Sequence, residues 1–147
     1  MSVRGQRIAL GVLLVVALVT GLWALLAPRS FYDSFPTGSM HWVATDGPYN
    51  QHLISDVGSM YLALAALTVA ALARPALARL AGVVWLVFSV PHWIYHSAHL
   101  GLYGPRDQVL NEVALVAVVV LAALLCVPRR RWVGAAAPSG ERAEVRR

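Results

Sequence analysis

The sequence contains no lysine and a single cysteine, Cys126, and only 13% of its 147 residues are charged. One cysteine excludes an intrachain disulfide, and with it the stapled scaffold of a small secreted domain. So little charge excludes a disordered chain and is well short of the quarter or so found in soluble domains. Apolar residues take the place of charge: 59% of the chain is hydrophobic, with a mean hydropathy of +0.63. That balance belongs to a membrane protein. All twelve basic residues are arginine, against seven acidic ones, for a net charge of +5. Where those arginines lie decides whether the charge concerns nucleic acid or topology.

A bilayer core of about 30 Å needs about 20 helical residues. Four largely uncharged runs of that length are present, at about 8–27, 53–73, 77–100 and 109–127. Pro28, Pro75, Gly101, Gly104, Pro105 and Pro128 punctuate them, as helix ends require. The first run follows Arg4 and Arg7, as in a secretion signal. At about 20 residues, however, it exceeds the usual signal core of roughly 7 to 15, and no clear A-x-A cleavage site follows. The expected fold is all-α: one domain, residues 1–130, a bundle of four transmembrane helices. Residues 131–147 are small, polar and unperiodic, and read as a disordered cytoplasmic tail.

With the amino terminus inside, Arg4, Arg7, Arg74, Arg79, Arg129, Arg130, Arg131, Arg142, Arg146 and Arg147 fall on the inner side, and only Arg29 and Arg106 outside. This positive-inside bias puts both termini in the cytoplasm of a bacterial cell, with the protein in its plasma membrane. It also makes the arginine run a neighbour of anionic lipid, so nucleic acid is not an expected partner.

The same orientation carries His41, His52, His92, His96 and His99 to the outer side, together with Asp33, Asp46, Asp56, Asp107 and Glu112. Loops account for some of these, and Asp107 is placed to cap the fourth helix. In the second helix His52, Asp56, Ser59, Ala63, Ala66, Ala70 and Ala73 form one stripe, polar at its outer end and small below. The small half suits helix packing. In the third helix Ala78, Gly82, Trp85 and Ser89 lie below His92, His96 and His99, and the two stripes are expected to face each other. Pro91 is expected to kink the third helix just below its histidines. Asp107, Asn111 and Ala114 give the fourth helix a shorter stripe, with Glu112 turned about 100° from Asn111.

His92, His96 and His99 are spaced i, i+4, i+7 on one helix face. A straight helix separates the outer two by about 10 Å of rise, so a single ion is expected to take two of the three. His52 and Asp56 from the facing stripe, and Glu112, would complete the set. Imidazole and carboxylate ligands suit a transition metal such as zinc, iron, copper or manganese, and His52 with a third-helix ring would suit bis-histidine haem. Without metal, His52, Asp56 and His96 are the candidate catalytic groups, as an acid–base set. Asp56 weighs most, because an unpaired carboxylate within a membrane span is costly and is expected to face the bundle with a partner. The plainer alternative is an interfacial belt, since Trp93, Tyr95 and Tyr103 accompany the histidines.

Between the first two helices runs a long loop, from Pro28 to about Gln51, carrying Phe31, Tyr32, Phe35, Trp42 and Tyr49. A short interfacial helix at 30–35, ended by Pro36, and a turn at Asp46-Gly47-Pro48 are expected, the whole lying over the outer end.

Trp42-Val43, Asp46-Gly47-Pro48-Tyr49-Asn50-Gln51-His52, Asp56, Val90-Pro91-His92, Tyr95-His96 and His99-Leu100 together resemble a group of small four-helix actinobacterial membrane proteins, loosely DoxX-like. The likeness runs from about Ser30 to Val127. It implies a four-helix membrane fold and supplies no activity to carry over. The residues themselves point to an outer-leaflet His/Asp site for a metal or haem, with redox or lipid-directed chemistry. The alternatives are an accessory subunit of a larger membrane complex, a homo-oligomer among them, and a small metal or proton transporter.

Overall fold

A computed structural model describes residues 1–128, and the expected tail at 131–147 lies outside them. Among the described residues the chain is all-helical. There are four long helices, α1 (Val3–Leu26), α4 (Gln51–Ala73), α5 (Ala78–Ala98) and α6 (Pro105–Cys126); two short ones, α2 (Pro28–Ser34) and α3 (Trp42–Asp46), lie between α1 and α4, and single 3-10 turns, Pro75–Leu77 and Leu100–Leu102, make the other two connections. By length and composition, each long helix is able to cross a membrane. Local chemistry sets their starts. The Ser2 hydroxyl accepts from the Gly5 amide, and the Asn50 side chain from that of Leu53. α6 opens on Pro105 after Gly104, and Asp107 stands in its first turn without capping it. The expected Asp107 cap is thus replaced by a charge beside the helix dipole.

The helices associate as two close pairs. In α1 against α4, a Cβ on Gly58 would stand 2.7 Å from the Leu25 backbone nitrogen, and one on Gly21 would stand 3.1 Å from the Gly58 carbonyl oxygen. In α5 against α6, a Cβ on Gly82 would stand 2.8 Å from the Ala122 carbonyl oxygen. Glycine is required at these three points because backbones meet there. Between the pairs, the fully buried Trp85 of α5 donates its indole N–H to Thr68 Oγ1 of α4 at 2.9 Å.

Here the structure departs from the expected register. The face of α4 buried against the bundle carries Ile54, Gly58, Leu64, Ala65, Thr68 and Ala71. Asp56, Ser59, Ala63, Ala66 and Ala73 are exposed. Alanine and glycine both satisfy helical spacing, but only glycine lets α1 approach this closely, so the glycine face turns inward and the alanine stripe outward. α5 remains a single α-helix through Pro91, without an interruption below its histidines.

The α1–α4 connection folds back on one end of the bundle, called here the loop end. Trp23 of α1 donates to Ser30 Oγ at 3.1 Å, and its ring meets Phe31 edge-on. Phe31 stacks near Phe35, which meets Trp42 edge-on. The Tyr32 hydroxyl donates to the Gly47 carbonyl at 2.8 Å. Across the bundle, the Tyr103 hydroxyl donates to the Trp42 carbonyl at 3.3 Å, tying α3 to the α5–α6 turn. In place of the expected turn at 46–48, the short α3 runs through Asp46 and the chain leaves it extended at Gly47, with φ 173° and ψ 178°.

Candidate functional site at the loop end

Three elements meet at the loop end: α3, the last turns of α5 and the first turns of α6. Glu112 of α6 holds α5 with both carboxylate oxygens. Oε2 accepts from the Trp93 indole N–H at 2.8 Å, and Oε1 from the Ser97 hydroxyl at 2.6 Å. One helical turn separates Trp93 from Ser97, so a single carboxylate can reach both. Two charge-assisted bonds of this kind are among the stronger polar contacts in the chain.

His96 lies beside this clasp, within electrostatic reach of Glu112 and of Asp46 at the end of α3. Its ring meets that of His92 edge-on at 4.7 Å between centroids, and His92 stacks on Phe88 at 5.1 Å. Phe88 in turn meets Tyr61 of α4. His99 stacks on Tyr95 and contacts the Tyr95 carbonyl through Nδ1 at 2.7 Å. A continuous file of rings therefore runs up α5 from the middle of the bundle to the loop end.

Several polar atoms here are buried without a hydrogen-bond partner: Trp42 Nε1, Asp46 Oδ1, His96 Nδ1 and Asn111 Oδ1, with Ser89 Oγ deeper on α5. Asn111 is almost wholly buried, at 2% exposure. One of the four at the loop end is a fixed donor, two are acceptors, and the imidazole nitrogen is either, depending on its tautomer. Tyr103 closes the side of the cluster. Burial pushes its hydroxyl up to about 12, with Asp46 and Tyr95 adding to the shift.

The sequence-predicted residues thus divide. His92, His96 and Glu112 come together, and His99 stands beside them on the exposed side. His52 and Asp56 do not face α5. His52 Nε2 lies 3.3 Å from Asp56 Oδ2, and their side chains are 88% and 62% exposed. Asp56 therefore has a partner, but on its own helix and outside the bundle. The bis-histidine haem arrangement needs His52 opposite an α5 ring, which this placement does not provide. Among the described residues, no group of three or more His, Cys, Asp or Glu side chains is arranged to hold a metal ion. Sequence spacing missed Asp46 and Trp42, which lie far from α5 along the chain and reach it only through the folded loop. It also missed Trp93 and Ser97 as the partners of Glu112.

His41 sits at the start of α3 with φ 53°, the left-handed region, and its Nδ1 contacts the Asp33 carbonyl. It belongs to the loop's own framework. No protein-family model, curated protein or solved structure matches the chain.

Proposed function

We propose that the chain is a multi-pass protein of a bacterial plasma membrane, both termini inside, whose loop end is an outer-leaflet binding site for a small polar group rich in hydrogen-bond donors. The buried, unpaired acceptors Asp46 Oδ1 and Asn111 Oδ1, together with His96 Nδ1, carry this reading. Each buried, unpaired polar group costs about 1–3 kcal/mol, and several at one end of an apolar bundle add up to a large fraction of a domain's stability. A bound group that donates to Asp46 and Asn111, and exchanges a proton with His96, offsets that cost. The arginine asymmetry supports the outward placement. His92 and His96 supply acid–base capacity to a bound substrate, and the Glu112 clasp holds their helix in position. The likeness to small DoxX-like membrane proteins belongs to the same reading.

The test is thermal unfolding of the parent and of Asn111→Leu, once in membranes of the producing cell and once in synthetic phosphatidylcholine. Leucine removes the unpaired amide at nearly constant volume. If a ligand from the cell uses Asn111, the variant is less stable than the parent in the native membrane and equal or more stable in synthetic lipid. Equal or greater stability in both overturns the reading.

A second reading is favoured by the 4.7 Å approach of the His92 and His96 rings: the pair supplies two ligands to a transition metal. Elemental content and haem absorbance of the purified protein decide it. Bound metal of about one ion per chain, lost in His96→Ala and retained in His41→Ala, supports it. Metal-free parent protein removes it.

A further inference from the structure

The loop end holds one carboxylate without a counter-ion. Asp46 closes α3 with its Oδ1 buried and without a hydrogen-bond partner. Among the described residues the two ion pairs are Arg29 with Asp33 and His52 with Asp56, so no arginine pairs with Asp46. The chain has no lysine to take that place. His96 of α5 and Tyr103 in the α5–α6 turn both lie within electrostatic reach of Asp46. Tyr103 fixes the loop there by donating to the Trp42 carbonyl at 3.3 Å. On α6, Asn111 is 2% exposed and directly precedes Glu112, which also lies within reach of His96. Glu112 itself is occupied, with one oxygen on Trp93 and the other on Ser97. Asp46 is therefore the carboxylate of the site that is open to a ligand.

The buried, unpaired atoms differ in what they require. Asp46 Oδ1 and Asn111 Oδ1 only accept, His96 Nδ1 accepts in one tautomer, and Trp42 Nε1 only donates. A neutral hydroxyl ligand satisfies acceptors but leaves the Asp46 charge uncompensated, and a buried charge without a counter-ion costs more than a buried dipole without a partner. A quaternary ammonium or an alkali ion brings the charge without a donor. A primary ammonium brings one positive charge and three N–H donors on a single atom, which matches one carboxylate oxygen and two neutral acceptors. Trp42 Nε1 then requires an acceptor elsewhere on the same ligand, such as an oxygen on the carbon next to the one that carries the nitrogen.

We infer that the loop-end site takes the 2-aminoethyl-oxygen group of an amino alcohol or of an aminoethyl phospholipid head, its ammonium donating to Asp46, Asn111 and His96 and its oxygen accepting from Trp42 Nε1. This rests on the loop-end reading above and names the class of its ligand: a primary ammonium in place of any donor-rich group.

The experiment uses the full chain in phosphatidylcholine nanodiscs, whose headgroups carry no N–H, and reads thermal unfolding at neutral pH. Ethanolamine is expected to raise the unfolding temperature saturably. Choline, potassium chloride and ethylene glycol at the same concentration are expected to give little or no shift, since each lacks either the charge or the N–H donors. Asp46→Asn is nearly isosteric and is expected to weaken the apparent ethanolamine affinity by about tenfold, equivalent to about 1.4 kcal/mol, while the unliganded unfolding temperature is kept or raised. Trp42→Phe keeps an aromatic ring and removes the N–H. It is expected to erase the preference for ethanolamine over ethylamine and to leave ethylamine binding unchanged. Phosphatidylethanolamine as a minor component of the nanodisc distinguishes the sources: protection without free amine assigns a membrane headgroup, and protection by ethanolamine alone assigns a soluble amino alcohol. Equal protection by ethylene glycol, lost in Asp46→Asn, overturns the ammonium assignment and leaves the loop-end site standing. Equal protection by choline or potassium chloride also overturns it. So does the absence of protection by any primary amine, free or lipid-borne, and Asn111→Leu in native and synthetic membranes then decides separately whether the loop-end site stands.

Discussion

Glu112 shows how one side chain organises the loop end. Its two oxygens are each taken by a donor on α5, so the carboxylate acts as a clasp before it acts as an acid. Glu112→Leu removes both bonds and leaves the Trp93 and Ser97 donors without their acceptor. It is expected to cost about 2–4 kcal/mol, measured by denaturant unfolding in mixed micelles, with Glu112→Gln losing less. Tyr103 gives the pH dependence. Its buried neutral phenol donates to the Trp42 carbonyl, and its pKa rises from 10.0 to about 12. The folded state thus keeps the proton more tightly than the unfolded one. The stabilisation is complete below pH 10, is lost as pH rises through 12, and is absent from the unfolding profile of Tyr103→Phe. Tyr103→Phe itself is expected to cost about 1 kcal/mol.

At the scale of elements, the close approaches at Gly21, Gly58 and Gly82 decide the packing. Gly58→Ala forces the added methyl against the Leu25 backbone and is expected to loosen α1 from α4 by about 1–3 kcal/mol. Ala66→Leu, on the exposed stripe of the same helix, is expected to change unfolding by less than about 0.5 kcal/mol. The four long helices were legible in the sequence because length, hydropathy and helix breakers act locally. Which face of α4 turns inward was not, because the alanine stripe and the Gly58 face both keep helical periodicity and differ only in what α1 presents to them. The same ambiguity misplaced Asp56 and His52. His92, His96 and Glu112 were legible as a group, since helical spacing and antiparallel α5 and α6 bring them together. Asp46 and Trp42 were not, because only the folded course of residues 27–50 carries them to α5.

For the whole molecule, the arginine asymmetry predicts that a reporter fused after Arg147 is active only in the cytoplasm. A reporter active on the outer side would turn the loop end inward and exclude an outer-leaflet ligand. The central claim, that a non-protein group completes the buried polar atoms of the loop end, is tested most directly by native mass spectrometry of the chain released from its own membrane. The account predicts a retained noncovalent mass on the parent that is lost from Asp46→Asn with His96→Phe while the helical content of that variant is unchanged. A parent that flies as the bare chain, or a variant that keeps the same mass at the same occupancy, would contradict it.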